Sequence, residues 1–147
     1  MSHLNYFKLL FDKSEIGVCV TTAKLDPPDH PMIIYVNPYM CNITGYSFEE
    51  MINKTPRMLQ GTQTKDFNKS LMRQLLSRKI AYNGSVINYT KNKEEYYAKV
   101  NINYIKLDKE EYFIGFQEKS SKLQVLDCLN ELEDFCKLLC SKLETVV

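Results

Sequence analysis

The chain has 147 residues, of which 44% are hydrophobic and 25% are charged, and its formal net charge is +1. This length and composition predict a single globular domain, with residues left over for a helical extension. The balanced charge argues against a nucleic-acid-binding surface and gives no reason to expect attraction to an acidic membrane.

The cysteines and histidines carry no recognisable site. The five cysteines form no CxxC pair, and no export signal or apolar run of about 20 residues is present, so free thiols and a cytoplasmic location are expected. The two histidines, His3 and His30, are isolated, so no metal site is predicted. No acid–base set accompanies them, and we expect the chain not to be an enzyme.

The chain begins with a predicted helix and two predicted strands. Residues 4–11 carry apolar side chains at helical spacing, whereas residues 15–22 and 32–37 are rich in β-branched side chains. The prolines within residues 23–31 exclude a hydrogen-bonded ladder there. The two strands are therefore predicted to form a hairpin joined by a loop.

Short helices are predicted in the middle of the chain. Asn37, Pro38 and Gly45 have the types expected for the cap, first residue and stop of one helix. Ser47 and Glu50 form a capping box for a second.

A third cap-and-proline pair and a longer helix follow. Thr55 and Pro56 repeat the earlier pattern, and residues 64–79 are predicted to be helical. The apolar residues expected on one face of this helix are Phe67, Leu71 and Leu75.

Three strands are predicted next, over residues 80–91, 94–107 and 110–119, joined by turns at 92–93 and 108–109.

The last segment, residues 120–147, is predicted to be an amphipathic helix. Its apolar residues follow an a/d heptad spacing that favours a seam with a second chain. A second apolar row contains Cys128, Phe135 and Leu138, so one row can form the seam with a second chain while the other lies on the sheet. The stripe itself consists of Val125, Leu129, Leu132, Cys136, Leu139, Leu143 and Val146. The alternative is a single helix packed only on its own domain.

This order of elements resembles that of a PAS domain, an α+β fold with a five-stranded antiparallel sheet, helices on one face and an enclosed pocket. Residues 14–119 resemble the LOV (light, oxygen, voltage) subfamily in particular, with residues 1–13 as an N-terminal helical cap and 120–147 as a flanking helix. Four runs carry the resemblance: "YVNPYMCNITGYSFEEMI", "RMLQG", "INYTKN" and "YFIGFQ".

The resemblance implies a binding site for flavin mononucleotide (FMN). Arg57 and Arg73 match the two arginines that pair with the flavin phosphate, for which a planar guanidinium is suited. Gln60 matches a ribityl contact, and Asn88 matches one of two asparagines at the pyrimidine edge. Gln117 matches the glutamine beside flavin N5 and O4, whose amide can donate or accept.

Three positions depart from the LOV pattern. Pro56 stands where the family has the cysteine that bonds to the flavin. Thr55 replaces the preceding asparagine and, although shorter, can still hydrogen-bond the flavin, and Ala98 replaces the second pyrimidine-edge asparagine. One lost hydrogen bond weakens binding by about tenfold. We therefore expect FMN to bind, with reduced affinity.

The missing thiol leaves two photochemical routes. The flavin is reduced to a radical and Gln117 responds without a covalent bond, or another thiol takes the role of the missing one. Cys19 lies on the first strand, where side-chain alternation places it with Gly17 and Thr21 on one face. Its match in the family faces the flavin, although a free cysteine is more often a small buried core residue.

The predicted function is a flavin-binding sensory domain, responsive to blue light or redox state, that signals through Gln117 and a homodimeric C-terminal helix. The alternative is a PAS dimerisation module without flavin, and a flavin-dependent enzyme is the third possibility. Bound flavin separates the first two, because it makes the purified protein yellow.

Overall fold

The structure is a computed structural model that describes residues 2–26 and 30–146, and at position 140 and positions 143–146 it describes the backbone alone. Five antiparallel strands form one sheet in the order β2-β1-β5-β4-β3. The elements are α1 (His3–Phe11), β1 (Gly17–Thr22), β2 (Ile33–Val36), α2 (Pro38–Thr44), α3 (Phe48–Met51), a 3-10 helix (Pro56–Leu59), α4 (Asp66–Ser77), β3 (Tyr82–Tyr89), β4 (Glu95–Leu107), β5 (Glu110–Lys119) and α5 (Lys122–Val146). The predicted α+β fold and its order of elements are confirmed.

The two faces of the sheet carry different side chains because a strand alternates them. Cys19 and Thr21 of β1 face a cavity on the inner side, as the sequence predicts. Val18 and Val20 face outward and pack with Phe7 of α1. The helix α1 therefore covers the outer face over β1, β2 and β5.

Asn37 joins the start of the chain to the first inner helix. Its side-chain oxygen accepts hydrogen bonds from the backbone N–H of Val18 at 2.9 Å and of Met40 at 3.0 Å. Its amide nitrogen donates to the carbonyls of Phe11 and Ile16, at 3.0 and 2.8 Å. The predicted N-cap residue of α2 is thus fully buried, and its side chain connects α1, β1 and α2 by hydrogen bonds.

The other predicted helix signals are correct, with one difference. Gly45 ends α2 in the left-handed conformation (φ 78°), and the Ser47–Glu50 capping box forms at α3. Thr55 occupies the N-cap position before Pro56, but its side chain makes no capping hydrogen bond. The helix it precedes is a single 3-10 turn rather than an α-helix.

The helix α4 is shorter than predicted and buries a different row. Phe67, Leu71 and Leu75 are only partly buried, whereas Asn68 and Leu76 are buried. Tyr82 of β3 donates a hydrogen bond to Asn68 Oδ1, and Asn68 Nδ2 donates to the carbonyl of Ser85 at 3.0 Å. These bonds hold α4 against β3, so a polar residue occupies the buried row.

The helix α5 is divided between two environments. Val125 and Leu129 are buried against Ile87 on the outer face of the sheet. Farther along, Phe135 and Leu139 remain 56% and 45% exposed. The start of the predicted heptad stripe therefore packs on its own domain, and Leu143 and Val146 lie outside the described side chains.

Candidate functional site

A cavity of about 520 Å³ lies between the inner face of the sheet, the 3-10 helix and α4. Cavities that bind small molecules and cofactors have volumes of about 300–1,000 Å³. Six of the seven predicted site residues line it: Cys19, Thr55, Arg57, Gln60, Arg73 and Gln117. The structure thus brings together residues that are up to 98 positions apart in the chain.

The floor of the cavity is formed by the three central strands. Gln117 of β5 lies opposite Val100 of β4, and Gly115 lies opposite Ile102, so their side chains share the inner face. Cys19 of β1 lies opposite Gly115. Because Gly115 has no side chain, the floor is open at its centre. The open part lies between apolar side chains and the amide of Gln117.

Three cationic side chains line the cavity. Arg57 belongs to the 3-10 helix, and Lys69 and Arg73 lie one turn apart on α4. Arg73 Nη2 lies 3.3 Å from Asp26 Oδ1, and Lys69 Nζ lies 3.0 Å from Asp66 Oδ1. Both carboxylates are almost fully exposed, so these ion pairs are weak and an anionic ligand can replace them.

The 3-10 helix forms a side wall of the cavity through Thr55, Pro56 and Gln60. The chain following this helix is fixed by Tyr89 of β3, whose hydroxyl accepts a hydrogen bond from the backbone N–H of Gln63 at 3.0 Å. A Cβ at Gly61 would lie 2.3 Å from the Tyr89 ring. Glycine at this position therefore allows the segment to lie flat on the tyrosine.

The side chain of Gln117 is hydrogen-bonded to Tyr96, which was not predicted as a site residue. Tyr96 Oη donates a hydrogen bond to Gln117 Oε1 at 3.0 Å and accepts one from Asn88 Nδ2 at 3.4 Å. Asn88 and Tyr96 are buried, and neither lines the cavity. Asn88 therefore lies outside the cavity lining, and the Tyr96 phenol connects it to Gln117.

Cys19 has the environment of a core residue. It is buried beside Ile33, Val36 and Met40, and burial raises the pKa of its thiol to about 12. The thiol is therefore protonated at neutral pH. This environment favours packing over nucleophilic reaction.

The residues present fit a flavin nucleotide. The cation cluster suits a phosphate, the apolar walls suit a flat aromatic ring, and Gln117 supplies one amide to a polar ring edge. Lys69 and Tyr96 were missed by sequence reasoning. Lys69 has a detectable signal, because it lies four residues before Arg73 on a helix.

The chain belongs to the PAS domain family, whose profile matches residues 17–118. Its fold is that of the LOV group of PAS domains. It superposes on the dark-state structure of the Aureochrome1 LOV photoreceptor domain with a TM-score of 0.71, at 18% identity, covering 90% of this chain and 94% of that one. The LOV domain of a blue-light-activated histidine kinase from Erythrobacter litoralis gives a TM-score of 0.67 at 20% identity, covering 75% of this chain and all of that one.

The chain is also homologous in sequence to blue-light photoreceptors. It is 32% identical over 126 residues to a blue-light photoreceptor of Listeria monocytogenes, covering 82% of this chain and 49% of that protein. It is 28% identical over 115 residues to a blue-light-activated histidine kinase of Brucella anthropi, covering 77% of this chain and 23% of that one. A nitrogen fixation regulatory protein of Klebsiella oxytoca is 28% identical over 101 residues, covering 68% of this chain and 19% of that one. The chain therefore spans at most half the length of these relatives.

The described residues form neither a membrane-spanning helix nor a metal site. Within the described parts of the chain, no helix is both long and apolar enough to cross a membrane. The same residues contain no group of three or more His, Cys, Asp or Glu side chains arranged to hold a metal ion.

Proposed function

We propose that this chain is an FMN-binding sensory domain that responds to blue light or redox state and signals through Gln117 and α5. The observation that carries the proposal is one cavity that is lined by Arg57, Lys69 and Arg73 and has Gln117 on its floor. A ligand with an anionic tail and a flat polar-edged ring has the matching distribution of charge and polarity.

The phosphate end is assigned to Arg57 and Arg73. A guanidinium presents a planar fork of donors that suits the oxygens of a phosphate. Arg73 reaches this position by exchanging its exposed pair with Asp26 for the stronger charge of a dianion. Lys69 adds a third positive charge beside them.

The flavin supplies absorption of blue light and one-electron redox chemistry when it is bound. Pro56 has no nucleophile, so no side chain at this position forms a covalent bond to the ring. The response is therefore assigned to Gln117, which is placed to change its hydrogen bonding when the ring edge changes protonation. Cys19 is assigned a packing role because its thiol is neutral and buried.

The output is assigned to the short path from Gln117 to α5. Two residues after Gln117 the strand ends at Lys119, and α5 begins at Lys122. Ser120 N–H donates to the carbonyl of Tyr97 at 2.8 Å, which holds this connection to β4. A shift of β5 therefore acts directly on the base of the helix, whose exposed far half is proposed to pair with a second copy.

A sensory role is favoured over an enzymatic one by the chemistry of the cavity wall. Among the described residues that line the cavity there is no Asp, Glu or His. General acid–base catalysis is most often carried by these side chains. That the chain performs no enzymatic reaction remains a prediction.

The test is a binding titration with FMN and riboflavin, which differ only in the phosphate. Replacing Arg57 and Arg73 together by alanine is expected to weaken FMN binding by about 10- to 100-fold, because two charge-assisted contacts are lost. Riboflavin binding is expected to change little. Arg78→Ala, which changes the C-cap residue of α4 outside the cavity lining, is the control. Equal losses for both ligands would show that the arginines do not recognise phosphate.

A further inference from the structure

The amide of Gln117 is held from behind the cavity wall by a buried phenol. Tyr96 Oη donates to Gln117 Oε1 at 3.0 Å, which commits the amide oxygen to the protein interior. Within the described part of the chain, Gln117 Nε2 has no hydrogen-bond partner, and Gln117 lines the cavity. The nitrogen is thus the amide atom available to a ligand.

A hydrogen bond from Asn88 agrees with this direction. Its Nδ2 donates to Tyr96 Oη at 3.4 Å, so the hydroxyl accepts on one side and donates its proton to Gln117 on the other. Burial raises the pKa of the Tyr96 phenol far above neutral pH, so the hydroxyl keeps this proton. The chain of donors runs in one direction, from Asn88 through Tyr96 to Gln117.

The sheet register explains how the phenol reaches Gln117. Tyr96 lies opposite Asn88, and Gln117 lies opposite Val100, with Ala98 between them on the same face of β4. Tyr96 and Val100 are four residues apart, which is about 13 Å along a strand. Ala98 is fully buried in the same apolar cluster as Tyr96 and carries only a methyl group, which leaves room for the tyrosine ring.

We propose that Tyr96 is a positioning residue that fixes the amide of Gln117 with its nitrogen toward the cavity, so that the site selects a ligand edge that accepts a hydrogen bond. This inference rests on the proposed function, because it assigns the recognised edge to the polar side of a flavin. It also means that a rotation of the Gln117 amide changes the hydrogen bonds of three residues, Gln117, Tyr96 and Asn88. Rotating the Gln117 amide places N–H against the Tyr96 hydroxyl, whose proton then requires a new acceptor.

Asn88 is the neighbouring residue that can accept this proton, and the residue before it contacts α5. If the hydroxyl turns toward Asn88, the Asn88 amide must reverse as well, because its nitrogen now faces Tyr96. Ile87, the preceding residue on β3, packs against Val125 and Leu129 of α5. A change at Gln117 therefore has a route to α5 through β3, separate from the direct route along β5.

The test compares Tyr96→Phe with Tyr39→Phe. Both tyrosines pack in the same apolar cluster, but the Tyr39 hydroxyl makes no hydrogen bond to the described residues. Each variant keeps its ring, so both are expected to fold. In the ligand-free protein, the NMR cross-peak of the Gln117 side-chain amide, identified by its loss in Gln117→Leu, is expected to move in Tyr96→Phe and to stay in Tyr39→Phe.

The same pair is then measured with FMN bound. Tyr96→Phe is expected to shift the blue absorption band, because the amide can now present its oxygen to the ring, whereas Tyr39→Phe leaves the band in place. An unchanged Gln117 cross-peak in Tyr96→Phe overturns the inference, whatever the ligand result. If the wild type takes up no FMN, the proposed function fails, and the ligand-free spectra alone decide the role of Tyr96.

Discussion

Replacing Tyr82 by phenylalanine is expected to loosen α4, the helix that carries Lys69 and Arg73. Tyr82 is 1% exposed and Asn68 is 2% exposed, and the tyrosine hydroxyl donates to the Asn68 side-chain oxygen. The substitution removes the donor but keeps the ring. The buried Asn68 oxygen is then left without this partner.

The expected loss in the free energy of unfolding follows from the burial of the Asn68 oxygen. A buried polar atom left without a partner costs about 1–3 kcal/mol, out of a total stability of roughly 5–15 kcal/mol for a domain. Gly84 shows how closely the hydroxyl is packed, since a Cβ there would lie 2.4 Å from Tyr82 Oη. We therefore expect the free energy of unfolding to fall by about 1–3 kcal/mol in Tyr82→Phe.

The assay is urea denaturation followed by circular dichroism, with the slope m compared between variants. Tyr104→Phe is the matched control, because its hydroxyl donates to the side chain of Glu111 in an exposed position. The control is expected to unfold at the same urea concentration as the wild type. A Tyr82→Phe midpoint that coincides with the control would refute the claim that this bond holds α4.

Three other predictions concern the ligand, the assembly and the thiol. Asp26→Asn removes the exposed carboxylate that pairs with Arg73, the arginine that we propose binds phosphate. Fluorescence titration is therefore expected to show FMN affinity up to about fivefold higher and riboflavin affinity unchanged. A rise for both ligands would contradict this. Replacing the exposed Phe135 and Leu139 by serine is expected to halve the mass measured by light scattering at tens of micromolar, and a monomeric wild type would exclude the helix as a dimer contact. Cys19→Ala is expected to leave the blue-light difference spectrum of the wild type unchanged. A bleached form that disappears in Cys19→Ala but persists in Cys41→Ala would instead identify Cys19 as a reactive thiol.

The order of the elements and several of their ends were predictable because their signals are local. A cap such as Asn37, a helix stop such as Gly45 and the alternation on β1 each depend on a few neighbouring residues. The same holds for the cavity: its predicted residues lie on elements whose order resembles a PAS domain. Their common location follows once the sheet order is fixed.

The features that sequence reasoning missed depend on distant pairs. The hydrogen bond between Tyr96 and Gln117 requires the register of β4 with β5 and a small residue at position 98, which no short motif encodes. The pair of Arg73 with Asp26 links residues 47 positions apart.

The heptad spacing of α5 predicted which residues share one apolar face of the helix. It could not show that the sheet of the same chain buries the first residues of this stripe. The outer surface over Ile87 is available to Val125 and Leu129, so the first part of the stripe packs there rather than on another chain.

The central claim is that the cavity holds FMN, and the most direct measurement is the absorption spectrum of the purified protein after incubation with FMN and removal of unbound ligand on a desalting column. The account predicts a yellow protein with a structured blue absorption band and FMN close to one per chain. A colourless protein, with all of the FMN in the small-molecule fraction, would contradict it.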